Sequence, residues 1–301
     1  DRRKNRTGVN VTGTGVRRPP RFSIRQWMTL CRRYLAIKLK DRIGMAVLLV
    51  QAPIIALLVD MVFVSRSEGV MNRLLYTPYA LFLLVIAAIW FGCSNAAREI
   101  VAEQAIYRRE RMVNLSIGTY VLSKFAVLGA LCLLQCVVLL SMTYVVLDFH
   151  GHPLYHLAIL WSSAMCGVGM GLLLSAVTRT SEAAMALVPL LLIPQVILGG
   201  AIMPNTEMNR PTWALSQVTI SRWAFEGALQ IEHLADAYEI APRDLPKAIA
   251  PGLPAPPPPP NPIDRFYGKS ETYLLIDLTV TSAFAALLLV LVGVTLRVRE
   301  R

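Results

Sequence analysis

Six long apolar runs govern what this chain can become, at about residues 44–64, 79–97, 119–147, 154–177, 183–203 and 273–296. Each is long enough to cross about 30 Å of hydrocarbon as a helix rising about 1.5 Å per residue. A soluble domain interrupts such runs more often and carries roughly a quarter charged residues. Here 16% of residues are charged and 55% are hydrophobic. Barrel strands would alternate polar and apolar positions over about ten residues, whereas these runs are apolar on every side, as helices in lipid must be. The expected fold class is an all-α membrane protein with six transmembrane helices, integral and multi-pass. Disordered, collagenous, coiled-coil and disulfide-scaffold readings are excluded. Pro53, Gly167, Gly169, Gly171, Pro189 and Pro194 lie inside the runs, where neighbouring helices satisfy freed backbone groups.

Charge sets the orientation. Of 30 Lys and Arg residues, 22 lie in segments on the N-terminal side of the membrane and 8 on the other. The long segment 204–272 holds eight acidic and six basic residues. The positive-inside rule places both termini in the cytoplasm. The net charge of +11 is thus a topological signature, and no nucleic-acid partner is expected. Residues 1–21 have the composition of a basic cytoplasmic linker lying against anionic lipid. The chain starts at Asp1 without Met or a signal-peptide pattern, so a longer protein with an upstream domain is expected. In 22–43, Trp27, Leu30, Tyr34 and Ile37 recur at helical spacing against Arg25, Arg32, Arg33 and Lys40, with Ser23 as an N-cap. This predicts an interfacial connecting helix, and a peripheral anchor without a mechanical role fits the same pattern.

Catalytic signatures are missing. No phosphate loop, dinucleotide fingerprint, H-E-x-x-H or nucleophile elbow occurs, so neither a catalytic residue nor a cofactor is expected in this chain. Cys132 and Cys136 share a helix face but have no nearby His or carboxylate in sequence, which assigns them to packing. His150, His152 and His156 surround a turn with Gly151 and Pro153, which fits turn and capping roles better than a metal site. The connection 98–117 is charged, with Arg98, Glu99, Glu103, Arg108, Arg109, Glu110 and Arg111. It reads as a cytoplasmic helix with Ile100, Ala105 and Met112 on its other side. Such a helix can press on a partner, or be a solvated face held by pairs such as Glu103–Arg108. Gln51, Gln135 and Gln195 are amides inside apolar runs; unpaired they are costly, so each should find a partner across helices or face a polar pathway. Asp60 and Asp277 lie near the outer ends of the first and last runs, close enough to the interface to reach water.

The run Tyr107-Arg108-Arg109-Glu110-Arg111, followed by Tyr120-Val-Leu-Ser123-Lys124, resembles the segment between the second and third spans of ABC type-2 permeases, especially the G subfamily. Pro189 to Pro194, Gly199-Gly200, Pro204, Met208, Trp213 and the motif Ser221-Arg222-Trp223-Ala224-Phe225-Glu226-Gly227 are similar to that family's fifth span and external re-entrant segment. Within the family, the likeness is greatest to bacterial exporters that join forkhead-associated domains, an ATPase domain and a permease on one chain. Two departures stand out: the external cysteines of many eukaryotic members are missing, and an insertion at about 235–273 carries the proline run 254–262. A proline run of that kind is stiff and extended.

The resemblance implies the permease part of an ATP-driven exporter in the bacterial inner membrane, with ATP and Mg bound by a nucleotide-binding domain upstream on the same full-length chain or on a partner chain. It also implies a homodimer with the pathway between two copies. Coupling to the nucleotide-binding domain would run through the 98–117 segment. On the second and fifth spans the resemblance makes Trp90, Phe91, Asn95, Ile193, Val196, Ile197 and Gly200 candidates to line the pathway, with packing between spans as the equal alternative. Gln51 and Gln195 are amides that would face that pathway or find partners across helices. Ser221, Arg222, Trp223 and Glu226 would form the re-entrant motif. The apolar lining suggests amphipathic or lipid-like cargo and contact with membrane lipids. A polysaccharide or lipid-linked glycan permease is the alternative, and a non-transporting membrane sensor or anchor is a third reading.

Overall fold

A computed structural model describes residues 23–64, 70–112, 115–232, 266 and 274–299. The linker at 1–21 and the proline run lie outside the described residues. The described chain is helical, in the order α1 (Ile24–Lys40), α2 (Arg42–Phe63), α3 (Val70–Ala96), α4 (Gln104–Met112), α5 (Ile117–Val146), α6 (Pro153–Val177), α7 (Ser181–Leu198), α8 (Arg210–Ser216), α9 (Ile220–Ile231) and α10 (Leu274–Arg299), with a 3-10 turn at Asn205–Glu207 before α8. Six of these helices (α2, α3, α5, α6, α7 and α10) are long and apolar enough to cross a membrane.

The centre of the bundle is the α3–α6 pair. Most of α3 and of α6 is buried inside the bundle, whereas α2, α7 and α10 present most of their surface outward. Lipid tails are as apolar as leucine, so burial alone cannot drive spans together; close packing must. Glycines supply it. A β-carbon at Gly92 would collide with the Ala164 carbonyl, one at Gly167 with the Ile89 carbonyl, and one at Gly171 with the Cys93 carbonyl. The two backbones therefore touch along three turns, and the glycines tolerated by lipid are required by packing.

Around this pair, α5 packs on α6 and α3, while α1 and α2 pack on α5, and α10 packs on α6 and α9. The α5–α6 turn is closed by Glu232 at the end of α9, whose carboxylate accepts the N–H groups of His150 (2.6 Å) and Gly151 (3.1 Å). His152 caps α6 by accepting from the Leu154 N–H at 3.3 Å. All five cysteines are free thiols.

The structure departs from expectation in three places. The fifth span ends at Leu198, not near residue 203, although the apolar run continues. Gly200 has φ 98°, a conformation that terminates helices and that side chains resist. The 98–117 connection is a turn over 97–103 followed by the nine-residue α4, not one helix. The backbone N–H groups of Ile100 and Val101 leave the helical pattern to donate to Ser175 Oγ at 2.9 and 3.0 Å. Finally, Asp60 and Asp277 are both buried: Asp60 keeps 7% of its surface exposed, whereas Asp277 is fully enclosed beneath α9 and does not reach water.

Candidate functional site

The charged residues of the 98–112 segment converge with α1 and the first turns of α5 at one end of the bundle. Glu99 is the hub. Its carboxylate accepts from the Tyr34 hydroxyl and the Lys38 ammonium of α1, and Lys124 of α5 lies 3.5 Å away. Lys124 is 2% exposed and meets Glu103 at 2.7 Å, as an ion pair whose angle departs from a directed hydrogen bond. Its ammonium also stands over the ring of Tyr34 at 4.1 Å and that of Tyr120 at 5.4 Å, where aromatic faces attract a cation. Tyr120 in turn packs on Tyr107 of α4, with ring centroids 4.8 Å apart. At the rim, Arg33 of α1 forms a two-pronged bond to Glu110 of α4, at 2.5 and 3.0 Å.

The electrostatics follow from burial and pairing. Burial raises the Glu99 carboxyl, but Lys124 and then Lys38 outweigh it and hold Glu99 below the usual carboxylate range. The Tyr34 phenol is pushed well above its ordinary value by burial and by the Glu99 charge, so it stays a donor. Two carboxylates and two ammoniums thus neutralise one another, in a charged joint that ties α1, the 98–112 segment and the first turns of α5 together. Among the described residues no set of three His, Cys, Asp or Glu side chains is placed to hold a metal ion.

The expected face of this segment is different. Tyr107 is the buried residue of α4, Ile100 is buried in the preceding turn, and Ala105 and Met112 are exposed. Glu103 pairs with Lys124 across elements and not with Arg108 along the helix. Arg98, Arg108 and Arg109 point outward, and Arg111 donates to the Leu115 carbonyl at 2.5 Å. The joint's members outside the predicted segment, Arg33, Tyr34, Lys38 and Lys124, are brought in by tertiary packing alone.

The residues proposed for the pathway are dispersed. Trp90, Ile193 and Ile197 are exposed on α3 and α7, Val196 and Gln51 are half-buried, and Phe91 is fully enclosed. Asn95 donates to Gln135 at 2.7 Å, and Gln135 donates to the Leu48 carbonyl at 2.8 Å, a polar bridge joining α3, α5 and α2. Gln195 accepts from the Ser221 N–H at 3.0 Å, while the Ser221 hydroxyl donates to the Gln195 carbonyl at 2.6 Å. Gln195 therefore fastens α9 to the end of α7. Next to it, the Arg222 guanidinium stacks on Trp223 at 4.0 Å and pairs with Glu226 at 3.3 Å. Trp223 also donates to the Gln217 carbonyl at 3.0 Å, so the motif holds itself and its neighbouring loop together.

Comparison with known proteins agrees with this architecture. Residues 25–233 match the family described as ABC-2 type transporter. The chain is also 29% identical, over 217 residues, to the ABC transporter ATP-binding/permease protein Rv1747 of Mycobacterium tuberculosis; the match covers 67% of this chain and 24% of that protein. The chain accordingly spans about a quarter of that relative's length. On six membrane-spanning helices and a family match over most of its length, the chain belongs to the ABC-2 type transporter family and is a permease domain of an ABC transporter.

Proposed function

We propose that this permease works as a homodimer with an ATP-binding domain, on the same full-length chain, and exports an amphipathic or lipid-like cargo across the bacterial inner membrane. The observation that carries the reading is the buried joint of Glu99, Glu103 and Lys124 with Tyr34 and Lys38. It makes α1, the 98–112 segment and the base of α5 move as one piece. A domain that binds ATP and pushes on α4 through exposed Arg108 and Arg109 would then tilt α1 and α5 together, with no energy lost to slippage between them. The 22-to-8 split of basic residues supports cytoplasmic termini, and so an ATP-binding domain on the cytoplasmic side.

The outward apolar face of α7, with Leu190, Ile193 and Ile197 exposed, supports a second copy and a pathway of low polarity beside it. That lining favours an amphiphile over a polysaccharide. The test is reconstitution of the full-length protein in sealed vesicles with ATP on one side. ATP-dependent movement of a fluorescent amphiphile away from the ATP side supports the proposal. Binding of amphiphile without ATP-dependent movement would favour the sensor reading, and ATP-dependent movement of a glycan alone would favour the polysaccharide reading.

A further inference from the structure

The last turns of α10 border two concavities at the same end of the bundle as the charged joint. The first is a groove of about 340 Å³ between α5 and α10, walled by Val121, Leu122, Val290 and Val294, with Gly293 in its floor and Arg297 at its end. The second, of about 720 Å³, lies between α4, the 97–103 turn and α10; Tyr107, Met112 and Leu296 line it together with Arg108, Arg111 and Arg299. Neither lining includes an acidic residue. Arg299 is held in place by donating to the Ala176 and Thr178 carbonyls at 2.7 and 2.9 Å, whereas Arg297 and Arg108 are exposed.

The two halves call for different chemistry in one ligand. Leu289 and Arg297 both line the groove, and about 12 Å of helix axis separates them at 1.5 Å per residue, so the apolar stretch runs from the basic end into hydrocarbon depth. At Gly293 nothing lies within 4 Å of where a β-carbon would stand, so the floor is open. A soluble anion would use the guanidiniums and leave the groove empty; a zwitterionic lipid would fill the groove and offer a phosphate, but its cationic headgroup would be repelled by the neighbouring guanidiniums. Basic pockets between spans, at the membrane surface, are suited to acidic headgroups.

We propose that the α5–α10 groove and the arginines at its mouth seat one anionic phospholipid, an acyl chain lying over Gly293 and the phosphate meeting Arg297. The lipid is a resident ligand and not the exported cargo, so the proposal stands whether or not the export reading holds. By bridging α10 to α5, and through the adjoining arginine-lined concavity to α4, it would tie the last span to the elements that carry the joint.

Native mass spectrometry of the full-length protein in mild detergent tests this, with phosphatidylglycerol, phosphatidylcholine of the same chains, and glycerol phosphate as probes. The expected result is about tenfold better retention of phosphatidylglycerol than of phosphatidylcholine, with no retention of glycerol phosphate. Arg297→Gln should bring phosphatidylglycerol down to the phosphatidylcholine level. Gly293→Leu places a side chain into the groove from a position where its β-carbon meets nothing within 4 Å, and should lower retention of both lipids about tenfold; Val294→Phe, from an exposed position, should act in the same direction. Equal retention of the two lipids in the wild type would overturn the proposal, as would retention of glycerol phosphate equal to that of phosphatidylglycerol. Unchanged lipid retention in Gly293→Leu, with an altered oligomeric state, would assign the groove to a second copy and overturn it as well.

Discussion

Replacing Lys124 by Met removes one ammonium from the joint while nearly conserving its volume, so the effect is electrostatic and not a cavity. Taking one partner from a buried ion pair costs about 3–5 kcal/mol, because the other charge is left unpaired in a poorly solvated place. Here the loss is softened twice. Glu99 keeps Lys38 and Tyr34, and the Glu103 side chain is 26% exposed and can turn to water. A destabilisation of about 2–3 kcal/mol is therefore expected at neutral pH. The pH dependence supplies a sharper check. In the wild type Glu99 is held below its ordinary range, so its stabilising contribution is complete above the unfolded value of about 4.3 and is lost as pH falls through the lower folded value. Without Lys124, burial is less opposed and the Glu99 carboxyl moves upward. The folded variant then takes up a proton more readily than the folded wild type, and the stability difference narrows on acidification. Unfolding of the full-length protein in detergent, followed from neutral pH to about pH 4, measures both effects. Equal stability at neutral pH, or a gap that widens as pH falls, would refute the argument.

Other variants probe the packing and the polar bridges. Gly167→Leu drives a side chain into the Ile89 carbonyl at the α3–α6 contact, and should cost more than 2 kcal/mol, read as loss of folded protein by size-exclusion in detergent. Gly200→Ala should lose about 1–3 kcal/mol because φ is 98° there, while Val196→Phe, at a half-buried position packed against the core, should cost about 1 kcal/mol and shift cargo preference in an ATPase-stimulation assay. Gln135→Leu strands the Asn95 amide and should cost about 1–3 kcal/mol; the double variant with Asn95→Leu should recover part of it, which a double-mutant cycle by denaturant unfolding will show.

The spans were legible because lipid demands uniform apolarity, which sequence displays directly. So was the charge of the 98–112 segment. What sequence does not display is which charges meet. Lys124 and Glu103 are 21 positions apart, and Tyr34 and Glu99 are 65 apart; no local period links them. Ala201 to Met203 remain apolar, so hydropathy alone carries the fifth span to Met203, whereas the helix ends at Leu198, before the backbone twist at Gly200. Position in the run alone puts Asp277 near water; its burial follows from α9 packing over the start of α10, a contact between segments distant in sequence. Sequence marks the glycines of α6 as tolerable in lipid; that Gly167 and Gly171, with Gly92 of α3, make the central helix contact shows only once the helices are packed.

The most direct test of the account reverses the charges of the rim pair between α1 and α4. Arg33 and Glu110 sit on opposite sides of the joint and are exposed enough that neither reversal should unfold the protein, since such surface pairs contribute at most about 1 kcal/mol to stability. Cargo-stimulated ATPase activity of the full-length protein is measured for Arg33→Glu, Glu110→Arg and the double reversal. The account predicts that each single reversal lowers stimulation while folding is retained, and that the double reversal restores it. Single reversals with wild-type stimulation, or a double reversal no better than the worse single, would contradict the claim that motion passes from α4 to α1 through this joint.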